Sequence, residues 1–218
     1  MITDVDVQAV LFDLDGVLVD ACEWHYEALN LALLEYGFPI ISRGDHISKY
    51  NGLPTSKKLS IMGVTASVHA EINSRKQAIT KEIIERKSCP RPEKVELLKY
   101  LKTNHIKTAC VTNSIKDTAV QMLKSCGVLP YIDAVISNQD VRQPKPQPDG
   151  YDLAVKVLGV NGYESICVED SPVEIQAAKS SIVSHVWEIS RIEEVCLSEF
   201  REYVNANFDS DGGRRQQI

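Results

Sequence analysis

The stretch Val10-Leu-Phe-Asp-Leu-Asp-Gly16 constrains this chain more than any other. An apolar run of that length, stopped by a glycine, reads as a buried strand ending in a turn. Asp13 and Asp15 fall where the strand runs out. Along a strand, residues two apart point the same way, but past its end two side chains need not stay parallel. Two carboxylates beside a buried strand are costly unless a positive charge lies between them. A divalent cation meets that need, because hard cations take carboxylate and carbonyl oxygens.

The rest of the chain tells what that strand belongs to. Past Pro92, helix-like and strand-like segments alternate. Helices are expected over residues 93–104, 115–126, 149–158 and 172–180, and strands over 106–111, 134–137, 165–168 and 182–187. Alternation of this kind implies an α/β fold with a doubly wound, parallel, Rossmann-like sheet and right-handed crossovers. Residues 20–90 read differently. Trp24, Ala28, Leu31, Ala32 and Leu34 recur at helical steps, Gly37 and Pro39 stop that helix, and residues 65–84 form a second, well-charged one. The segment 46–62 between them is mixed and broken at Gly52-Leu-Pro54. The expected domains are therefore a core of residues 1–19 and 91–204, an inserted helical unit of residues 20–90, and a polar, disordered tail of residues 205–218.

In an open parallel sheet, ligands sit beyond the carboxyl ends of the strands, near the point where strand order reverses. The residues just past each expected strand are Asp13 and Asp15, then Thr112-Asn113-Ser114, then Lys145 in a loop, then Glu169-Asp170. Taken singly, each has an ordinary reading: a strand-end threonine, a turn asparagine, a solvated lysine, acids at a helix start. Taken together at successive strand ends, they are expected to form a phosphate-and-metal site.

These residues also resemble the four motifs of the haloacid dehalogenase superfamily. Asp13, Asp15, Gly16, Val17 and Asp20 are similar to its first motif, and Cys110-Val-Thr112-Asn113-Ser114 to its second. Lys145-Pro-Gln-Pro-Asp149 looks like the third, and Val168-Glu169-Asp170-Ser171 like the fourth. The resemblance runs over residues 8–190 and points to the β-phosphoglucomutase and phosphatase branch, with residues 20–90 as a small α-helical cap. It implies Asp13 as a nucleophile that forms an aspartyl-phosphate, and Asp15 as general acid and then base. Thr112 and Lys145 would hold phosphoryl oxygens, with Asn113 beside them. Mg²⁺ would lie on Asp13, Asp170 and the Asp15 main-chain carbonyl, with Glu169 in or beside the coordination shell. An acid at Asp15 favours phosphoryl transfer over carbon–halogen cleavage.

Within the cap, His25 resembles a histidine of the β-phosphoglucomutase branch, and Lys76 a cap lysine that lies near the phosphate in relatives. Residues 51–55 fall where relatives carry a specificity loop. β-Phosphoglucomutases place an arginine there, whereas this chain has Thr55 with Lys57 and Lys58 beyond. That favours an Mg²⁺-dependent phosphohydrolase of a small phosphate ester, such as a sugar phosphate, over a phosphomutase. A catalytically idle binding domain and a phosphonate hydrolase rank lower.

The net charge of −6, mixed along 218 residues, gives no footprint for nucleic acid or an anionic membrane. The six cysteines show no CxxC spacing, which argues against a zinc framework. With no basic-then-apolar leader and no membrane-length apolar run, a cytoplasmic location and a monomer or weak homodimer are the expectation.

Overall fold

The computed structural model describes residues 7–50 and 53–208. The chain opens with β1 (Ala9–Phe12). It then leaves the sheet for α1 (Cys22–Glu35), the short α2 (Arg43–Asp45) continued by a π-helical turn (His46–Tyr50), α3 (Thr55–Ile61) and α4 (His69–Lys87). It returns through α5 (Pro92–Thr103), β2 (Lys107–Val111), α6 (Lys116–Ser125), β3 (Ala134–Ile136) and α7 (Asp149–Leu158). The last elements are β4 (Ser165–Glu169), α8 (Pro172–Lys179), β5 (His185–Glu188) and α9 (Leu197–Asn207).

The five strands form one parallel sheet in the order β3-β2-β1-β4-β5. β1 is central, and strand order reverses across it: the chain builds outward through β2 and β3, then crosses to β4 and β5. Register does the rest. Phe12 lies opposite both Cys110 and Val168, so Asp13, the end of β2 and Glu169 emerge side by side.

Alternation along the strands sorts the core into two faces. Val10, Phe12, Cys110, Ile166 and Val168 pack with Leu97, Leu98 and Leu101 of α5, Met122 and Leu123 of α6, and Phe200 and Val204 of α9. Leu11, Ala109, Val111 and Cys167 pack the other way, against Tyr151, Ala154 and Val155 of α7 and Ala177 and Ala178 of α8. The inserted helices have a core of their own, with Ala28, Leu29, Ala32 and Leu33 of α1 against Ile72, Ile79 and Ile83 of α4.

Two expectations need correction. The last strand starts at His185 rather than at residue 182, because the Ile182 N–H donates to the Asp152 carboxylate (2.9 Å) and the Ser184 N–H to the Gly162 carbonyl (3.2 Å). Residues 205–207 are not tail but the last turn of α9, and the Phe208 ring lies 4.1 Å from His185. Only Phe200 and Val204 of α9 are buried, an apolar stripe too thin to signal a helix from sequence. The remainder of the expected tail, residues 209–218, lies outside the described residues.

Candidate active site at the carboxyl edge of the sheet

β1 ends in a tight loop. The Leu18 and Val19 N–H groups donate to the Leu14 carbonyl (3.0 and 2.8 Å), and the Gly16 N–H to the Val19 carbonyl (2.8 Å). Gly16 sits at φ +93°, in the left-handed region that favours glycine. A Cβ at this position would also lie 2.1 Å from Asp170 Oδ2. Glycine is thus required twice, and it lets Asp170 from the end of β4 approach the loop.

Below that loop, carboxylate oxygens of Asp13, Glu169, Asp170 and Glu174 lie within 4.8 Å of one another. Lys145 enters from the loop before α7, with its ammonium 2.6 Å from Asp13 Oδ1, 2.7 Å from Glu169 Oε1 and 3.7 Å from Glu174 Oε1. Tyr151 also donates to Glu169 Oε1. Four acids around one lysine leave the cluster short of positive charge. Burial first, then the Glu174 charge, pushes Asp13 well above the carboxylate range, against the pull of Lys145. Burial raises Glu169 to about 8 even with Lys145 beside it, and burial with Glu174 raises Asp170 to about 6. Lys145 is itself desolvated, but Asp13, Glu169 and Glu174 outweigh that and hold its proton firmly.

Asp13 Oδ2, Glu169 Oε2 and Asp170 Oδ1 are buried with no hydrogen-bond partner among the described residues. Buried acceptors normally find one, and orphaned carboxylate oxygens facing one another ask for a cation. Hard oxygen donors of this kind suit Mg²⁺.

The expected part of Asp15 in the metal set is its main-chain carbonyl, which leaves its side chain for other work. Its carboxylate is not in the four-acid cluster and turns toward the cap. Asp15 Oδ1 lies 3.2 Å from His25 Nε2, and the Ser114 hydroxyl donates to Oδ2 (3.3 Å). Behind it, the Lys76 ammonium lies 3.1 Å from His25 Nδ1. An ammonium can only donate, so this contact makes Nδ1 the acceptor and leaves the ring proton on Nε2, facing Asp15. Burial favours the neutral form of Asp15, but His25, Lys76 and Ser114 together hold its carboxyl below the ordinary range. Burial and the Lys76 charge push His25 down in turn, while Asp15 pulls the other way. Lys76, desolvated and close to Lys58, is lowered to about 8. Lys76 is 7% exposed, so it is a buried cation rather than a solvated one.

Thr112 is buried, and its hydroxyl oxygen accepts the Ser114 N–H (3.0 Å). The Asn113 amide, expected on the substrate, donates instead to the Lys145 carbonyl (3.0 Å), while its own carbonyl accepts from Asn138 (2.8 Å). Asn113 therefore fixes the lysine loop, although it also borders the cavity.

A cavity of about 620 Å³ lies between core and inserted helices. Asp15, Ser114 and Asp170 face it from the core, and His25, Lys58 and Lys76 from the cap. Sequence reasoning had not singled out Glu174 or His46. Glu174 had a signal: Ser171-x-x-Glu174 spells a capping box, and Ser171 accepts the Glu174 N–H (3.4 Å). His46 had none, lying in a segment without regular periodicity.

Among known proteins, residues 10–187 match the haloacid dehalogenase-like hydrolase family. The chain is 26% identical over 184 residues to a phosphorylated carbohydrates phosphatase of Thermotoga maritima, covering 83% of this chain and 84% of that one. It is 31% identical over 179 residues to the pyrophosphatase PpaX of Bacillus velezensis, covering 82% of each. Its fold is similar to the crystal structure of β-phosphoglucomutase from Clostridium difficile, with a TM-score of 0.76 at 21% identity over 92% of this chain and 98% of that one. No described helix is long and apolar enough to cross a membrane.

Proposed function

The chain belongs to the haloacid dehalogenase-like hydrolase family, and from that premise we propose that it is an Mg²⁺-dependent phosphatase of a small phosphorylated metabolite. The observation that carries this reading is the separation of the two aspartates. Asp13 lies 2.6 Å from Lys145 among acids, while Asp15 is held apart by His25 and Ser114. One is placed to attack and the other to carry a proton.

An Asp13 oxygen attacks phosphorus, and the bond from phosphorus to the ester oxygen breaks. Asp15 gives its proton to the departing oxygen. A water then attacks the aspartyl-phosphate, its proton passes to Asp15, and Asp13 is released with inorganic phosphate. A carboxylate is a weak nucleophile, but it divides one difficult transfer into two easier ones. Asp15 needs a proton for the first step, and the arriving phosphoryl dianion raises its pKa by like-charge repulsion. Lys145 and Thr112 border the phosphoryl oxygens, and Asn113 keeps the Lys145 backbone in place. His25, oriented by Lys76, positions the Asp15 carboxylate. Mg²⁺ held by Asp13, Asp170 and the Asp15 main-chain carbonyl, with Glu169 or Glu174 alongside, would supply the charge that offsets repulsion between nucleophile and phosphate.

The phosphatase names of the Thermotoga and Bacillus relatives support this class of reaction. The test is phosphate release by the purified protein from sugar phosphates, nucleotides and small organic phosphates, with Mg²⁺ and with a chelator. Release that needs the metal is the expected result. Conversion of glucose 1-phosphate to glucose 6-phosphate without release would instead make it a phosphomutase. A folded protein that does neither would be a binding domain.

A further inference from the structure

One residue behind the acid cluster has no role in the reaction above. Tyr151 lies in the first turn of α7 and is fully buried. Its ring packs among Leu11, Ala109, Val111 and Cys167 on the α7 face of the sheet. Its hydroxyl donates to Glu169 Oε1 at the end of β4. The Lys145 ammonium lies 2.7 Å from the same oxygen and 5.1 Å from the centre of the Tyr151 ring. The residue before it explains the close approach. A Cβ at Gly150 would lie 2.9 Å from Val111 Cγ1, well inside the contact distance of packed carbons. Glycine there lets the first turn of α7 settle against β2, and Tyr151 then reaches Glu169.

The two oxygens of Glu169 are treated unequally. Oε1 accepts from both Lys145 and Tyr151, whereas Oε2 is buried with no hydrogen-bond partner among the described residues. Lys145 alone would fix the carboxylate poorly. An ammonium on a flexible stem tolerates many acceptor directions, and this one is also drawn to Asp13 Oδ1 at 2.6 Å. A phenol hydroxyl on a packed ring has one place to donate. Two donors from different elements on Oε1 set the plane of the carboxylate and leave Oε2 for the cluster, whose oxygens lie within 4.8 Å of one another. We propose that Tyr151 is a positioning residue for the cation site: its hydroxyl holds Glu169 by Oε1 and so presents Oε2 to the metal ion. This inference rests on the Mg²⁺-dependent phosphatase reading for the identity of the ion, but its test needs no turnover.

The probe is Mg²⁺ alone, titrated by calorimetry into the wild type, Tyr151→Phe, Glu169→Gln and the double variant. Tyr151→Phe keeps the buried ring beside Lys145 and removes only the hydroxyl. Residues that orient a metal ligand from behind typically contribute tenfold or more in affinity, so Tyr151→Phe should weaken Mg²⁺ binding by about tenfold. In Glu169→Gln an amide nitrogen takes the place of Oε2 and cannot hold a cation. Adding Tyr151→Phe to that variant should therefore change Mg²⁺ affinity by less than about twofold.

Equal Mg²⁺ affinity in the wild type and in folded Tyr151→Phe would overturn the inference. So would the same loss in both backgrounds, because Tyr151 would then act on the core at large rather than through Glu169. If Tyr151→Phe does not fold, the wild type supplies a second measurement. Mg²⁺ should perturb the ultraviolet absorbance of tyrosine with the calorimetric midpoint, and Glu169→Gln should remove the perturbation; a silent spectrum in the wild type would overturn the inference. The two readings fail separately. Weaker Mg²⁺ binding in Tyr151→Phe, with no phosphate release from any ester by the wild type, keeps the positioning role and removes the phosphatase. Metal-dependent release, with equal Mg²⁺ affinity in wild type and Tyr151→Phe, keeps the phosphatase and removes the positioning role.

Discussion

The two walls of the cavity carry opposite charge and hold it differently. On the core side, Asp13, Glu169, Asp170 and Glu174 crowd around Lys145, each fixed by a strand end or by the first turn of α8. On the cap side, Lys58 of α3, Lys76 of α4 and His46 of the π-helical turn are buried, and the Lys76 to His25 contact reaches the core through Asp15. The core wall has an excess of negative charge, which suits metal binding and bond-making. The cap wall has positive charge in need of partners, which suits recognition. In the proposed function, chemistry and selection are thus divided between two parts of the chain.

Removing the proposed nucleophile is the hardest blow to that division. Asp13→Asn should abolish turnover, by about 10⁴-fold or more, while the protein folds and the metal-free form is no less stable, since one crowded charge is gone. A cap variant that matched this loss would break the comparison. Asp15→Asn should lower kcat by about 10²- to 10⁴-fold with little change in phosphonate binding, because it removes a proton carrier rather than a contact. Gly16→Ala combines left-handed strain with a Cβ that meets Asp170, so Mg²⁺ affinity by titration should drop about tenfold or more. Lys76→Met should cost about tenfold in kcat and alter the pH profile of the rate, as His25 loses the donor that fixes its tautomer. An unchanged pH profile would mean that Lys76 only packs.

The smallest expected effect carries opposite signs in the two walls. Glu169 and Asp170 have folded values of about 8 and about 6, above their ordinary 4.5 and 3.8. The folded chain therefore binds more protons than the unfolded one over that range, and stability falls as pH rises from the ordinary carboxylate range through the folded values. Lys58 and Lys76, both lowered to about 8 from 10.5, behave in the reverse way. Above their folded value the unfolded chain binds more protons, so stability is regained as pH rises from about 8 to 10.5. The denaturation temperature of chelator-treated protein should pass through a minimum near pH 8, where the acid and lysine shifts meet. Mg²⁺ should flatten the acid limb, and Lys76→Met the alkaline one. A monotonic curve that neither change affects would contradict the opposed charge of the walls.

How far the sequence reveals each wall follows the same line. Strand ends are legible because an apolar run, a turn residue and a parallel sheet leave few places for the next side chain to go. Asp13, Thr112, Lys145, Glu169 and Asp170 could be placed at one edge from their order alone, and the structure brings them there. The direction of Asp15 could not be read, since it depends on His25 and Ser114 arriving from elements 10 and 99 residues away in sequence. Asn113 was placed at the site by the likeness of residues 110–114 to a family motif, which says nothing of the carbonyl its amide finds across 32 residues. Lys58 and His46 look like ordinary polar residues in a broken segment. Their burial is set by how α1, α3 and α4 pack, which no local pattern records. The helix α9 was lost for a related reason, a stripe too thin to stand out against polar neighbours.

The central claim is that phosphorus passes through the Asp13 carboxylate. The most direct measurement is to quench the protein during turnover with Mg²⁺, reduce with borohydride, and map the modified residue by peptide mass spectrometry. Reduction of an aspartyl-phosphate leaves homoserine in place of aspartate. Homoserine at position 13, dependent on substrate and Mg²⁺, is the result expected. Sustained phosphate release with homoserine at another aspartate, or with full activity retained in Asp13→Asn, would contradict it.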